Sequence, residues 1–431
     1  MIQVHEKVQT CLAQIIQQNP LLKSIFQKIK QEKGTVLLVG GAVRDCFLQQ
    51  ADADLDFEVY HLSFEQLQVI LSQFGPVSFV GKSFGVLRLL TLDADWSIPR
   101  KDSSGRKPIV DLVPDMSFKD AFRRRDLTIN AMGINVATLE LIDPYDGLFD
   151  LQKKILRAPD IDFFKQDPLR LFRVMQFVAR FEMQPDSLLN AVCRTMNVFS
   201  LSIERIDQEF KKLLLRSNNP SLGLLWLHKI GRFEELFPEL SFQKLPLEAF
   251  DCLAKKNIAH ELKLSAMWSF FALAVKQDLF QVIDKNQLVD KKNLKLVQEI
   301  IKKRVCSFTT VEQAAMIAWY LHYIPYLEDQ KDYQWLAYWL RNSMSLETFA
   351  IIGSCFYDQK MMNRFIDQAK CAGVLQKELP SLVQATDLLD KIHGKQLGKL
   401  LKEAYALQIN DGINDKKRLL EIILLTFLQD H

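Results

Sequence analysis

Residues 35–60, TVLLVGGAVRDCFLQQADADLDFEVY, constrain this chain more than any other stretch. An apolar, β-type run at 35–39 stops at Gly40-Gly41 and passes straight into a helix-like piece at 42–48. Glycines between a strand and a helix N-terminus let backbone N–H groups come close to an anion. A second strand follows, beginning Asp54-Leu55-Asp56-Phe57-Glu58-Val59. Side chains alternate faces along a strand, so Asp54 and Asp56 point the same way, about 7 Å apart. Paired carboxylates beside a phosphate-friendly turn point to a divalent cation and a nucleoside triphosphate. Asp52, Asp54, Asp56 and Glu58 share one parity, so a plain solvated acidic face fits the same residues.

At 431 residues the chain exceeds one ordinary domain, and with 48% apolar residues it can bury more than one core. Only 16 glycines and 14 prolines argue for helices rather than a many-turned all-β fold. The net charge of +3 is near neutral, so nucleic-acid binding requires a local basic surface. Cys11, Cys46, Cys193, Cys252, Cys306, Cys355 and Cys371 are widely spaced and form no Cys-x-x-Cys pair. That argues against zinc and a disulfide framework, and leaves free, buried thiols in a reducing cytosol as the expectation. No secretory signal and no membrane-spanning apolar run is read, so a cytoplasmic protein is expected.

Residues 5–30 carry one apolar face, broken at Pro20. A helix is expected at 64–74, closed by Gly75-Pro76, and strands at 77–80, 86–92 and 94–98, with Gly81-Lys82-Ser83-Phe84-Gly85 between the first two. Asp95, on the last strand, is either a third carboxylate facing Asp54 and Asp56 or a strand-end turn residue. Residues 99–108, PRKDSSGRKP, read as a mobile basic loop, either merely solvated or a lid over phosphates. Arg123-Arg124-Arg125 precede Asp126, a helix N-cap candidate, and suit a triphosphate or an RNA backbone.

From 147 onward strand character ends. Asp167-Pro168 opens a long helix. Gln166, Arg170, Arg173, Phe177 and Arg180 fall on one face, and Leu171, Val174, Val178 and Phe181 on another. An arginine stripe on an apolar helix is costly unless it lines a groove for anions or bases; a solvated stripe is the alternative. Asp167 and Arg170 also supply an acceptor and a donor one turn apart. Cytosine and adenine present an amino donor beside a ring-nitrogen acceptor, whereas uracil and guanine present a carbonyl there. By analogy with groove readout, such a pair discriminates by ~1–3 kcal/mol. Beyond 247, helices are expected at 264–277, 286–303, 311–322, 333–341, 346–356 and 381–406. Basic residues recurring from Lys291 to Arg418 are either solvated faces or a track for RNA.

Gly40-Gly41-Ala42-Val43-Arg44-Asp45 followed by Asp54-x-Asp56 resembles the signature of the bacterial-type (class II) CCA-adding tRNA nucleotidyltransferase and poly(A) polymerase family. The resemblance extends to RRDLTINA at 124–131, to Asp167-x-x-Arg170, to Glu204-Arg205-Ile206 with Glu209, and to residues 231–240. Two departures stand out: Gln49 where a glycine is common and Gln166 where the family usually has Glu. The resemblance implies an α+β fold: a nucleotidyltransferase head with a small mixed sheet at 1–146, an all-helical neck at 147–240, and a helical body and tail at 241–431. It implies Mg2+ on the catalytic Asp54 and Asp56. Gly40, Gly41, Arg44, Arg125, Asp126, Asn130, Asp167, Arg170 and Arg173 would bind the nucleotide. The implied partners are CTP, ATP and the 3′ end of tRNA, with no membrane, and the implied reaction is CCA addition. A poly(A) polymerase, an enzyme adding only CC or only A, and an RNA-binding protein with a decayed site remain as alternatives. The absence of an adjacent His-Asp pair argues against the metal-dependent hydrolase domain that some members carry.

Overall fold

The structure, a computed structural model, describes residues 2–49, 54–79, 85–92, 94–102, 110–277, 279–280, 291–388 and 392–429. Contacts divide the chain into two units, residues 1–213 with 222–232, and residues 214–221 with 233–431.

The first unit opens with helices α1 (Ile2–Gln18) and α2 (Leu21–Gln31), separated at Pro20 as the apolar spacing predicts. Then come β1 (Thr35–Val39), α3 (Gly41–Leu48), β2 (Leu55–Tyr60), α4 (Phe64–Ser72), β3 (Val77–Phe79), β4 (Val86–Leu89) and β5 (Ala94–Ser97). The expected turn at 81–85 falls outside the described residues except for Gly85. Strands β6 (Arg100–Asp102) and β7 (Val110–Leu112) pair antiparallel, which corrects the expectation of a loop from 99; residues 103–109 of that loop lie outside the described residues. Helix α5 (Phe118–Arg123), β8 (Gly133–Asn135) and β9 (Leu141–Ile142) complete the sheet region.

Seven strands form one sheet in the order β3-β4-β5-β2-β1-β8-β9. Only the β2–β5 pair is parallel; every other neighbour is antiparallel. Alternation along β2 sends Phe57 to one face, stacked on Trp96 with centroids 4.6 Å apart. Tyr60, on the other parity, joins Leu37, Val39, Met116, Ala121 and Phe122 in a core cluster. The acidic parity is therefore not a solvated face. Asp54 is exposed, Asp56 half-buried, and Glu58 and Tyr60 are fully buried.

Helices α6 (Gly147–Lys153), α7 (Ile161–Lys165), α8 (Leu169–Phe181), α9 (Ser187–Thr195), α10 (Ile203–Arg216) and α11 (Ser221–Lys229) follow, as the α+β expectation requires. There is one addition: a two-residue parallel pair, β10 (Ile155–Leu156) with β11 (Gln184–Pro185). The second unit centres on helices His260–Leu273 and Phe308–Tyr323, whose Ala266, Met267, Phe270, Ala314, Ile317 and Leu321 are all buried. Helix Lys291–Lys302 replaces the expected 286–303, of which 286–290 lie outside the described residues. Of the expected helix at 381–406, residues 389–391 lie outside the described residues; the described part is a 3-10 turn at Ala385–Asp387 and the helix Gly394–Asn410. Helix Gln359–Cys371, capped by Asp358 and buried through Met362, Phe365 and Ala369, has the right signals but was not expected. Among the described residues no helix is long and apolar enough to cross a membrane.

The cysteines correct one expectation. Cys11 on α1 and Cys46 on α3 are joined as a disulfide, their Cα atoms 5.7 Å apart. Of the cysteines outside this disulfide, Cys193 is fully buried, and Cys306 and Cys371 are exposed.

Candidate active site

The β1–α3 turn rests on Gly40, whose φ of +73° and ψ of −134° are open only to glycine without strain. A Cβ there would lie 2.9 Å from Arg125 Nη1 and 3.7 Å from Asp56 Oδ2. One glycine thus admits an arginine and a carboxylate to the same turn. Gly41 opens α3 without a positive φ, and a Cβ on it would meet only the flexible end of Arg44 at 3.3 Å. Gln49 closes α3 at φ +56° and ψ +37°, a left-handed conformation that a glycine would adopt without strain.

Asp56 faces Asp95 across the parallel β2–β5 pair, in register. Asp95 thus sits on a strand beside Asp56 rather than in a strand-end turn, and its Oδ1 lies 3.8 Å from Arg88 Nε. Burial pushes the Asp56 carboxyl up to about 6, with Asp95, Asp54 and Glu58 adding to the rise and Arg125 opposing it. A hard cation would relieve this repulsion, and carboxylate oxygens are the donors it wants, so these residues fit a divalent metal. Among the described residues no three acidic, histidine or cysteine side chains converge into a closed metal cluster.

The arginine run does not head a helix. Helix α5 stops at Arg123, and after Asp126 only a 3-10 turn, Thr128–Asn130, forms. Arg123 turns away to Asp160, its Nε donating at 2.7 Å. Asp126 accepts from the Leu127 N–H at 2.8 Å, from Asn130 Nδ2 at 3.0 Å and from Arg173 Nε at 2.6 Å. Burial alone would raise its pKa, but the Arg173 charge and these hydrogen bonds carry it down to about 2. Asn130 passes the network on, its Oδ1 accepting from Arg44 Nη1 at 2.5 Å. Arg44 in turn donates from Nε to Asp45 at 2.7 Å and lies over the rings of Phe177 and Phe181.

Helix α8 therefore lays its arginine face against the turn and the Arg124–Asn130 segment. Arg173 pairs with Asp126, and Arg180 lies 4.0 Å from Asp45. Arg170 donates from Nη2 to the Arg124 carbonyl and from Nη1 to the Phe163 carbonyl, both at 2.7 Å. These bonds use two of the five N–H donors of a guanidinium. They brace Arg170 through two backbone carbonyls, and Gln166, four residues earlier, is exposed. Asp167 accepts from the Leu169 N–H at 3.1 Å and from Arg205, 3.2 Å from each carboxylate oxygen. The N-cap of α8 is Pro168, one residue later than expected, and Asp167 stands just ahead of it.

All eleven residues singled out from the sequence thus lie in the first unit, around one turn, one strand and one helix. Sequence reasoning passed over several supports. Asp150, fully buried, accepts from Thr128 Oγ1 at 2.7 Å. Arg205, one of the residues that carry the resemblance, holds Asp167. Glu58 binds two of the three arginines, and its signal was parity with Asp54 and Asp56. In the second unit, Lys303 pairs with Glu239 and Lys416 with Asp387, so part of the recurrent basic charge is neutralised locally.

Residues 36–157 match the family model of the poly A polymerase head domain. A multifunctional CCA protein of Xanthomonas campestris pv. campestris is 34% identical over 216 residues, which cover 48% of this chain and 51% of that protein. Its counterpart in Stenotrophomonas maltophilia is 32% identical over 216 residues, 48% of this chain and 52% of that protein. The chain spans about half the length of the curated relatives it matches. The Bacillus stearothermophilus CCA-adding enzyme in complex with CTP aligns with a TM-score of 0.68 at 18% identity, over 95% of this chain and 98% of that one. The Thermotoga maritima CCA-adding enzyme complexed with tRNA aligns with a TM-score of 0.64 at 19% identity, over 97% and 98%. At these identities the likeness is one of fold.

Proposed function

We propose that this chain, whose residues 36–157 are a poly A polymerase-type nucleotidyltransferase head, adds CCA to tRNA 3′ ends from CTP and ATP, releasing pyrophosphate. The observation that carries this reading is the meeting of the acidic strand β2 and the arginine-faced helix α8 through one short segment, Arg124–Asn130. Asp54 and Asp56 would hold Mg2+, which lowers the pKa of the attacking 3′-hydroxyl and neutralises the leaving pyrophosphate. The Gly40 N–H already donates to the Met132 carbonyl at 3.3 Å, so the N–H groups at the start of α3, from Gly41 on, take the triphosphate, with Arg125 beside the turn. Arg44, Asn130, Asp126 and Arg173 hold that turn against α8. Asp167 accepts from the base amino group and Arg170 donates to the ring nitrogen, which admits cytosine and adenine and opposes uracil and guanine. Residues 1–146, 147–240 and 241–431 serve as head, neck, and body with tail, the last gripping RNA, and the enzyme works in the cytoplasm.

The test is extension of a tRNA that ends before CCA, in Mg2+, with CTP, ATP or both, the products being sequenced. The reading expects CC with CTP alone and CCA with both, and no extension by Asp54→Ala. Long A tails make the chain a poly(A) polymerase, addition stopping at CC or confined to A makes it a partial enzyme, and no extension makes it an RNA-binding protein. Asp167→Ala should admit UTP; unchanged base choice removes Asp167 from the template.

A further inference from the structure

Glu58 is the described member of the alternating acidic set that the reaction above does not use, and it is the most deeply buried. A carboxylate in that position is costly unless it is paired and hydrogen-bonded. Glu58 is both. Its Oε1 accepts from the Tyr60 hydroxyl at 2.5 Å. Its Oε2 accepts from Arg124 Nη2 at 3.3 Å and lies 3.7 Å from Arg125 Nη2. The two arginines then part. Arg125 reaches the Gly40 turn, where a Cβ would be 2.9 Å from its Nη1, and its charge acts on Asp56. The main-chain carbonyl of Arg124 accepts from Arg170 Nη2 at 2.7 Å. One buried carboxylate thus fixes the side chain that faces the phosphate turn and anchors the residue whose peptide orients the base-reading guanidinium.

We propose that Glu58 is a positioning residue that couples the phosphate-holding turn to the base-reading helix, so that triphosphate affinity and base choice depend on the same side chain. This rests on the nucleotidyl-transfer reading given above. It predicts a joint effect that loss of general stability does not produce, because an unstable enzyme loses active molecules without changing what each molecule prefers.

The experiment is steady-state extension of tRNA lacking CCA by the full chain and by Glu58→Gln, which keeps the shape and removes the charge. With Glu58→Gln, KM for CTP and for ATP should rise about tenfold and the preference for CTP over UTP should fall about tenfold, with KM for tRNA unmoved. If Glu58→Gln does not fold, Glu58→Asp replaces it: the charge stays but the carboxylate withdraws from both arginines, and the same two shifts are expected. A fall in kcat alone, with KM and preference unmoved, overturns the inference and leaves transfer intact. A shift in only one of the two also overturns it, because the coupling is then absent. A wild-type chain that extends no RNA overturns the functional reading, and the inference with it.

Discussion

The two glycines of the β1–α3 turn are not equivalent, and substituting each by alanine separates what they do. At Gly40 an alanine must adopt φ +73° and ψ −134°, a region that costs a non-glycine residue on the order of 1–3 kcal/mol. Its Cβ also arrives 2.9 Å from Arg125 Nη1, closer than carbon and nitrogen tolerate. The guanidinium is the far end of a flexible side chain, so it must give way, which disturbs its place beside Asp56 and the β1–α3 turn. At Gly41 the backbone is ordinary and the new methyl meets only Arg44 Nη2 at 3.3 Å. Gly40→Ala should therefore lose about 2 kcal/mol of stability, against less than about 1 kcal/mol for Gly41→Ala. Amide hydrogen exchange of Leu37 and Leu38, the strand residues leading into the turn, reads that difference directly. In the extension assay Gly40→Ala should also raise KM for CTP by about tenfold, equivalent to ~1.4 kcal/mol of lost binding. If the two substitutions are equally tolerated in both measurements, the close approach of Arg125 and the special backbone at Gly40 are not what the turn depends on.

Gln49 holds a left-handed conformation with its side chain exposed, so Gln49→Gly should stabilise the protein by about 1 kcal/mol in urea unfolding; a loss of stability would mean that its side chain is needed. Asp126, at about 2 in the folded chain against 3.8 unfolded, contributes on the order of 2 kcal/mol that is fully present above about pH 4 and lost as the pH falls through about 2. Wild type and Asp126→Asn compared in urea from pH 6 to pH 2 should differ most at the upper end and converge at the lower; a gap independent of pH refutes the pairing with Arg173. Asp56 must shed its proton to take a cation, so Mg2+ affinity should weaken below about pH 6 and binding near that pH should release a proton, seen by calorimetry in buffers of different ionisation enthalpy. Affinity flat from pH 5 to pH 8 would exclude Asp56 as a ligand.

What could be read from the sequence was whatever a local pattern determines. The strand, glycine turn and short helix at 35–48 follow from residue type alone, and so does the parity of Asp54, Asp56 and Glu58. Pairings across the chain carry no such mark. That Glu58 sinks beneath Arg124 and Arg125 depends on a segment 66 residues further on. The arginine face of α8 looked like a groove for anions because Asp45 and Asp126, which partly neutralise it, are remote in sequence. Arg170 is held by the backbone carbonyls of Phe163 and Arg124, which composition does not reveal. Cys11 and Cys46 are 35 residues apart, a spacing without meaning until α1 lies beside α3. Residues 381–393 were read as helix from their apolar content, which belongs instead to a cluster of Val383, Leu388 and Ile392 with Leu400 and Leu419.

The segment just after Asp146 is bound tightly to the turn that precedes it. A Cβ on Gly147 would overlap the Thr128 carbonyl at 2.2 Å, Thr128 Oγ1 donates to Asp150, and the Thr128 N–H donates to the Arg157 carbonyl at 2.8 Å. Anyone cutting this protein down to its N-terminal part should therefore not stop where the last long-sheet strand ends. A fragment closed at residue 146 strips Thr128 of its three neighbours and leaves the Arg124–Asn130 loop unsupported. One carried through β11 and its Asp186, where Arg157 is also anchored at 3.3 Å, keeps that scaffold whole.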